Sequence, residues 1–225
     1  GQAWKPAGGG DLVSFLYPTY RYAAARLWAG DLPLWNPHLY GGAPFLADTQ
    51  SGLFYPPNLL LGLLAPRFPY EALQWMAALH VFWAGATMYL CLRYLDPGRP
   101  VRPLAALTGA LAYMFSDLFV VHAGNLNLIG VAAWLPLVVL LFWRALRARS
   151  LGLAAGAGLV LGVATLEGHL QVTLIIGLAL AVMALNDLVT GRSERRGLWQ
   201  GTWPLLALVV AAAVAVGLSA LVLLP

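Results

Sequence analysis

Charged residues are scarce in this chain of 225 residues, because Asp, Glu, Lys and Arg together make up only 10% of it. A soluble globular domain carries about 25% charged residues. Hydrophobic residues account for 60% of the chain, and its mean hydropathy is +0.75. This composition excludes an ordinary soluble fold. Because the apolar runs recur along the chain, it predicts an integral membrane protein that crosses the bilayer several times.

Cysteine and the motifs of nucleotide chemistry are scarce as well. The single cysteine, Cys91, lies inside an apolar run, which excludes a disulfide framework and a cysteine-pair metal site. The sequence has no Gly-rich phosphate loop, no nucleotide-binding motif and no Ser-His-Asp arrangement, so nothing in it supports an ATP-driven or nucleotide-sugar mechanism. The net charge of +4 does not indicate a nucleic-acid partner, because the basic residues fall in short clusters between apolar runs.

The apolar runs predict an all-α protein with about six transmembrane helices. One run, residues 151–189, would be roughly 58 Å long as a single helix, which is too long for one crossing. We therefore expect it to fold back at its one polar cluster, Glu167-Gly168-His169. Pro136 predicts a kink in the third span. The predicted spans are residues 73–95, 104–121, 128–146, 151–166, 170–189 and 203–224.

The arginines predict the orientation of these spans. Nine of the 13 basic residues lie in three short linkers or at the span ends that border them, three at each, after the first, third and fifth spans. The positive-inside rule places such linkers in the cytoplasm. Residues 1–71 and the turns at 122–125 and 167–169 would then lie on the extracytoplasmic side. The nine residues are Arg93, Arg99, Arg102, Arg144, Arg147, Arg149, Arg192, Arg195 and Arg196.

Residues 1–71 are predicted to form a large extracytoplasmic loop region, and residues 72–225 the transmembrane helical domain. Helical spacing of apolar residues predicts an interfacial helix over residues 12–28, kinked at Pro18, with Asp11 as its N-cap. Gly30-Asp31 would end this helix. The chain begins without Met and ends on the edge of an apolar run, so we expect it to be a piece of a longer protein.

Residues 32–58, which we call the aromatic loop, are apolar but are predicted not to form a helix. Five prolines and Gly41, Gly42 and Gly52 leave no gap long enough for one. Such a loop must fold against something, and its aromatic and polar side chains suit a ligand, with Trp35 placed to stack on a sugar. The candidate substrate-binding residues in the loop are Trp35, Asn36, His38, Asp48, Gln50 and Tyr55.

Three further groups of residues have a functional and a structural interpretation. Asp11 is either a general base or only a helix cap. Arg21 and Arg26 either hold a phosphate or form the polar side of an interfacial helix. The turn residues His122, Asn125, Glu167 and His169 either bind substrate or cap helix ends, and two His with one Glu could hold a divalent metal, although the spacing matches no known ligand motif.

Several blocks of sequence resemble the bacterial YfhO membrane-protein family. The most specific is the loop block, with Leu34-Trp35-Asn36-Pro37, Gly41-Gly42-Ala43-Pro44-Phe45 and Gln50-Ser51-Gly52-Leu53-Phe54-Tyr55-Pro56 followed by Asn58. Asp11 with Tyr17-Pro18 resembles an earlier block of the family. Two later blocks are His122-Ala123-Gly124-Asn125-Leu126-Asn127 with Trp134-Leu135-Pro136, and Gly168-His169-Leu170-Gln171.

This resemblance implies a fold similar to GT-C glycosyltransferases, in the bacterial cytoplasmic membrane. It implies a transferase that moves a sugar from a polyprenyl-phosphate donor to a cell-envelope polymer or lipid acceptor. Asp11 would be the catalytic carboxylate, and Tyr17, Arg21 and Arg26 would lie at the donor. The sequence requires no cofactor. Two alternatives stay open, namely a transporter or flippase of a lipid-linked substrate and a non-catalytic subunit of a membrane complex.

Overall fold

A computed structural model describes residues 11–65, 67–190 and 201–223, and about 74% of it is helical. The N-terminal region holds a short π-helix, helix α1, a two-stranded sheet, a 3₁₀ turn and helix α2. Within the described residues, eight further helices, α3 to α10, follow. The bounds are π-helix Leu12–Leu16, α1 Tyr17–Trp28, β1 Trp35–Asn36, β2 Ala43–Pro44, the 3₁₀ turn Thr49–Ser51, α2 Pro56–Leu64, α3 Tyr70–Tyr94, α4 Pro103–Met114, α5 Asp117–Val121, α6 Leu126–Ala132, α7 Leu135–Ala148, α8 Leu151–Thr165, α9 Leu170–Val189 and α10 Trp203–Leu223.

Five helical segments in the described residues are long and apolar enough to cross a membrane, where about six were predicted. The predicted fourth span, α8, has only 15 residues, about 22 Å of helix against a hydrocarbon core of about 30 Å. It ends at Thr165 because the chain turns back there. The five segments are Tyr70–Tyr94, Pro103–Val121, Leu126–Ala148, Leu170–Val189 and Trp203–Ala220.

Two of the long segments are interrupted, and the long apolar run folds back. The second is broken at Phe115-Ser116, between α4 and α5. The third is broken at Ala133-Trp134, and Pro136 follows in the first turn of α7, where its missing N–H costs no helical hydrogen bond. The third span is therefore interrupted just before Pro136, close to the predicted kink. The predicted fold-back at residues 167–169 is confirmed, because α8 ends at Thr165 and α9 begins at Leu170.

The predicted interfacial helix has two parts. Residues Leu12–Leu16 are π-helical and lead directly into α1, with Pro18 in its first turn. Asp11 stands at the N-cap position but makes no side-chain capping hydrogen bond, because its backbone is already helical. The predicted end of the helix is confirmed, since α1 stops at Trp28 and Gly30 follows with φ of 77°.

The aromatic loop has local structure, and its last residues correct the sequence prediction. β1 and β2 pair antiparallel, with Trp35 opposite Pro44. Gly42 has φ of 124°, and a Cβ there would lie 2.7 Å from the Trp35 ring. Residues 56–58 were predicted to be loop, but α2 begins at Pro56. Proline is tolerated in the first turn of a helix, where the N–H groups have no helical partner.

The buried residues form two main apolar clusters. The first joins α7, α8, α9 and α10, and the second joins the π-helix and α1 to α3 and α6. The N-terminal region therefore packs directly on the long helices. The largest buried side chains of the first cluster include Phe142, Ile176 and Leu180, and those of the second include Leu16, Leu73, Leu126 and Ile129.

Candidate functional site

Glu167 lies in the turn between α8 and α9 and is completely buried. The Asn58 side chain, in the first turn of α2, donates from Nδ2 to Glu167 Oε2 at 2.9 Å. The Tyr20 hydroxyl of α1 lies 3.5 Å from Glu167 Oε1. These three side chains, which we call the Glu167 cluster, join an N-terminal helix, the end of the aromatic loop and the helical turn.

The Asn58 amide is oriented by a backbone carbonyl. Its Nδ2 also donates to the carbonyl oxygen of Gly52 at 3.0 Å and lies 3.1 Å from the Tyr20 hydroxyl. Because a carbonyl oxygen cannot donate, Nδ2 and not Oδ1 must face Gly52. Oδ1 is buried and has no hydrogen-bond partner among the described residues. The cluster therefore has an unused buried acceptor.

Backbone contacts tie the same loop segment to the same turn. Asn127 of α6 donates from Nδ2 to the carbonyl oxygens of Glu167 and Gln50, the latter at 3.3 Å. Gly168 has φ of 95°, and a Cβ there would collide with the carbonyl of Thr49. A Cβ on Gly130 would lie 2.8 Å from Glu167 Cγ. Glycine is thus required where the loop, α6 and the turn meet.

A second polar group lies beside the first. Trp134 Nε1 donates to the Tyr55 hydroxyl at 2.9 Å, and that hydroxyl lies 2.9 Å from His80 Nε2. His80 Nδ1 lies 2.8 Å from the carbonyl oxygen of Met76. Indole N–H only donates and a carbonyl only accepts, so Tyr55 donates to Nε2 and His80 carries its proton on Nδ1. Every group in this series of hydrogen bonds, from Trp134 to the Met76 carbonyl, then has a partner while the His80 imidazole is neutral.

Burial governs the electrostatics of the Glu167 cluster. Desolvation raises the pKa of Glu167 well above its ordinary value, although hydrogen bonds from Asn58 and Tyr20 oppose the shift. Desolvation and then the proximity of Glu167 raise the pKa of the Tyr20 and Tyr55 hydroxyls. Desolvation lowers the pKa of His169. No positive charge contributes to the shift at Glu167, so its neutral form is favoured.

An apolar cavity of about 460 Å³ lies between α2 and α3. Tyr55, His80 and Trp134 line one part of its wall, but the surface that the cavity presents is almost entirely hydrocarbon and aromatic carbon. Such a surface suits a lipid chain better than a polar group. Its exposed lining residues include Leu60, Leu64, Trp75, Leu79 and Phe82.

The residues predicted to act on the donor phosphate and the acceptor do not join the Glu167 cluster. Asp11 is exposed and makes no side-chain capping bond. Arg21 donates to the Tyr17 hydroxyl at 3.3 Å and is exposed. Arg26 pairs with Asp31 at 3.1 Å, so its charge is partly neutralised. Arg21 is therefore the better placed of the two arginines for an anion.

Two of the predicted polar residues of the loop, Asn36 and Asp48, hold its turns. Asn36 is buried, and its Oδ1 accepts from the backbone N–H of His38 at 3.0 Å. Asp48 Oδ1 accepts from the N–H of Gln50 at 3.0 Å. These are the turn-forming roles typical of Asn and Asp. The Trp35 ring is 55% exposed and the His38 and Gln50 side chains are exposed, whereas Tyr55 is buried.

The other predicted turn residues cap helices. Asn125 Oδ1 accepts from the N–H of Leu128 at 3.2 Å, and His169 Nδ1 accepts from the N–H of Val172 at 3.4 Å. His122 Nδ1 lies 3.2 Å from the carbonyl oxygen of Leu118. Within residues 11–65, 67–190 and 201–223, no three His, Cys, Asp or Glu side chains lie close enough to hold a metal ion.

Five residues in the Glu167 cluster, at Asn127 and in the hydrogen-bonded series around Tyr55 were not among the predicted site residues. They are Tyr20, Asn58, His80, Asn127 and Trp134. Asn58, Asn127 and Trp134 belong to the blocks that resemble the YfhO family, so those blocks carried the signal. His80 was visible as a polar residue within an apolar run. Tyr20 had no signal in the sequence, because an aromatic residue on an amphipathic helix is usually core.

The fold defines an α-helical protein of the multi-pass membrane class, with a buried polar cluster where its N-terminal region docks on the long helices. No family model, no curated protein and no solved structure matches the chain.

Proposed function

We propose that this chain is a membrane glycosyltransferase, or part of one, with its site on the extracytoplasmic face of a bacterial cytoplasmic membrane. It would move a sugar from a polyprenyl-phosphate donor to a cell-envelope polymer or lipid acceptor. One observation carries the proposal. Three separate blocks of sequence that resemble the YfhO family meet in one place, through Asn58, Asn127 and Gly168.

The cavity and the exposed polar groups support a lipid-linked donor. The cavity between α2 and α3 offers a hydrocarbon chain about 460 Å³ of apolar space beside the aromatic loop. Arg21 is exposed, and Tyr17 orients its guanidinium. Guanidinium matches phosphate oxygens in bidentate fashion and would offset charge that develops on a leaving phosphate. The exposed ring of Trp35 would stack on the sugar.

The proposed reaction is a single displacement. The acceptor hydroxyl oxygen attacks the anomeric carbon, and the bond from that carbon to the donor phosphate breaks. Asp11 takes the hydroxyl proton, and polyprenyl phosphate leaves with the bonding electron pair. Asp11 is exposed, which a base acting on an incoming polymer requires. No step requires a metal, because Arg21 supplies the positive charge.

The experiment is transfer of radiolabelled hexose from a panel of polyprenyl-phosphate donors in membranes carrying the full-length protein. We expect Asp11→Asn to abolish transfer at unchanged expression. Asp96→Asn is the matched control, because Asp96 is also exposed and lies in a predicted cytoplasmic linker. Loss of transfer in both variants, or full transfer by Asp11→Asn, contradicts the role of Asp11.

A non-catalytic subunit is the second candidate, and the burial of the polar residues favours it. Glu167, Asn58 and Tyr20 are all buried, and no hydrogen bond or ion pair between described residues joins Asp11 to Glu167 or His122. If the chain is a non-catalytic subunit, we expect the wild-type protein alone to transfer no sugar from any donor. We then expect it to co-purify with a second polypeptide that does transfer the sugar.

A further inference from the structure

Glu167 has only neutral hydrogen-bond partners. The elements packed around it contribute Tyr20 from α1, Tyr55 from the loop, and Asn58 from α2. From α6 it meets Gly130. In its own turn, His169 accepts from the N–H of Val172. The titratable side chains are therefore two tyrosines and a histidine, and none of the described residues forms a salt bridge with Glu167. An ionised carboxylate buried in this way would be costly.

The geometry suits a protonated carboxyl. Oε2 accepts from Asn58 Nδ2 at 2.9 Å, so this oxygen acts as an acceptor. Oε1 faces the Tyr20 hydroxyl at 3.5 Å, and a hydroxyl accepts from a carboxylic O–H as readily as it donates to a carboxylate. A neutral side chain that accepts at one position and donates at the other satisfies both contacts. Glutamine is such a side chain and has nearly the same shape.

The Glu167 cluster connects the aromatic loop to the helix bundle. Asn58 stands immediately after the loop's Tyr55-Pro56-Pro57, and its amide also binds the Gly52 carbonyl. On the other side, Asn127 bonds the carbonyls of Gln50 and Glu167. Residues 49–58 are thus attached to the 166–168 turn at several points, and all of these attachments lie at or next to Glu167.

We propose that Glu167 is a positioning residue that holds the aromatic loop on the helix bundle as a neutral hydrogen-bonding group and does not touch substrate. Its effect on transfer, which rests on the proposed function, is indirect, through Asn58 and the loop that carries Trp35. Its effect on loop docking is independent of any activity. This assignment differs from the sequence prediction, in which Glu167 binds substrate.

Loop docking is measured by the rate at which a thiol-reactive maleimide labels Ser51→Cys in the purified full chain. Ser51 is only 4% exposed and lies in the docked segment. The native Cys91 is also buried, so the protein without Ser51→Cys gives the background. With Ser51→Cys present, we expect the Glu167→Gln protein to label as slowly as the protein that keeps Glu167. We expect the Glu167→Ala protein to label about tenfold faster, because Asn58 then loses its hydrogen bond to the side chain of the 166–168 turn.

The pH dependence separates a neutral carboxyl from a carboxylate. Because the pKa of Glu167 is raised in the docked state, docking is strongest at low pH, where Glu167 is protonated in both the docked and the undocked state. Docking weakens as the pH rises through the pKa of Glu167 in the docked state. We expect labelling of the Glu167 protein to accelerate, relative to the Glu167→Gln protein at each pH, as the pH rises above the ordinary pKa of glutamate. The Gln protein corrects for the reactivity of the thiol itself.

Several outcomes overturn the proposal. These are fast labelling of Glu167→Gln, slow labelling of Glu167→Ala, and identical pH profiles for Glu and Gln. In the transfer assay, we expect Glu167→Gln to keep kcat and KM within about twofold of wild type. Loss of transfer by Gln with labelling unchanged would assign chemistry to the carboxylate and also overturn it. Absence of transfer in the wild type counts against the proposed function only, since labelling still tests the positioning role.

Discussion

At the scale of single residues, the polar side chains in this apolar protein are connected in short hydrogen-bonded chains. Tyr55 illustrates the rule, because its hydroxyl accepts from Trp134 and donates to His80. Its ring also stacks on the His80 imidazole, with centroids 5.7 Å apart. A buried hydroxyl with two partners contributes more by what its removal leaves unpaired than by its own bonds. Such residues determine how the loop sits on α3.

Tyr55→Phe tests this rule. The variant keeps the ring but leaves the Trp134 N–H and the His80 nitrogen without a partner, so we expect about 1–3 kcal/mol less stability. The measurement is thermal unfolding of the purified protein in detergent. Tyr22→Phe is the control, because its hydroxyl bonds the Trp35 carbonyl at an exposed position where water can replace it. Equal destabilisation by both variants contradicts the prediction.

At the scale of helices, α8 and α10 approach each other closely through small residues. Gly158 and Gly162 of α8 face Ala211 and Ala215 of α10. A Cβ on Gly158 would lie 3.0 Å from the Cα of Ala211 and closer still to its carbonyl oxygen. Small residues permit such close backbone contact between helices in a membrane, where no hydrophobic effect drives helices together. The two glycines therefore allow α8 and α10 to approach closely.

Gly158→Ala should therefore destabilise the protein, by about 1–3 kcal/mol, because the added methyl group forces the two helices apart. Gly152→Ala is the matched control on the same helix. Its Cβ would meet nothing closer than the Ser150 hydroxyl at 3.7 Å, and alanine favours helix, so a neutral or slightly stabilising effect is expected. Thermal unfolding in the same detergent compares the two. A stability of Gly158→Ala equal to that of Gly152→Ala would show that the helices are not in close contact.

At the scale of the whole molecule, the N-terminal region is packed on the long helices through Leu16, Tyr20, Leu73 and Leu126. The arginine distribution predicts that this region lies outside the cell and that the linker after α3 lies inside. Each of the two predicted sides of the membrane has an exposed position at which a cysteine can be placed. Tyr40 is 97% exposed at the tip of the β1–β2 hairpin, and Gly98 lies in the exposed linker between α3 and α4.

Single cysteines at these positions report the orientation. In intact spheroplasts, a membrane-impermeant maleimide should label Tyr40→Cys at once and Gly98→Cys only after the membrane is permeabilised. The native Cys91 is buried and provides the unlabelled reference. Early labelling of Gly98→Cys with protection of Tyr40→Cys would invert the orientation, and with it the side on which the site lies.

The sequence predicted where the chain turns more accurately than which residues meet. The fold-back at Glu167, an interruption of the third span near Pro136 and the end of α1 at Gly30 were all predicted, since breakers and apolar run lengths are local properties. Pro56 was misassigned to the loop, because the same residue both excludes a helix interior and favours a helix start. Five of the six predicted spans are helices long enough to cross a membrane, and the sixth, α8, is an apolar helix of only 15 residues because the turn at Glu167 takes up part of the run.

The sequence by itself determined the class of protein, since scarce charge and recurring apolar runs leave no soluble alternative and place the polar residues at the turns. Only the tertiary structure decided that Glu167 is buried and that Asn58, 109 positions away, is its partner. The physical reason is that hydropathy acts on each segment separately, whereas the state of a carboxyl depends on what surrounds it. Those surroundings come from α1, the aromatic loop, α2 and α6, which meet only when the chain is folded.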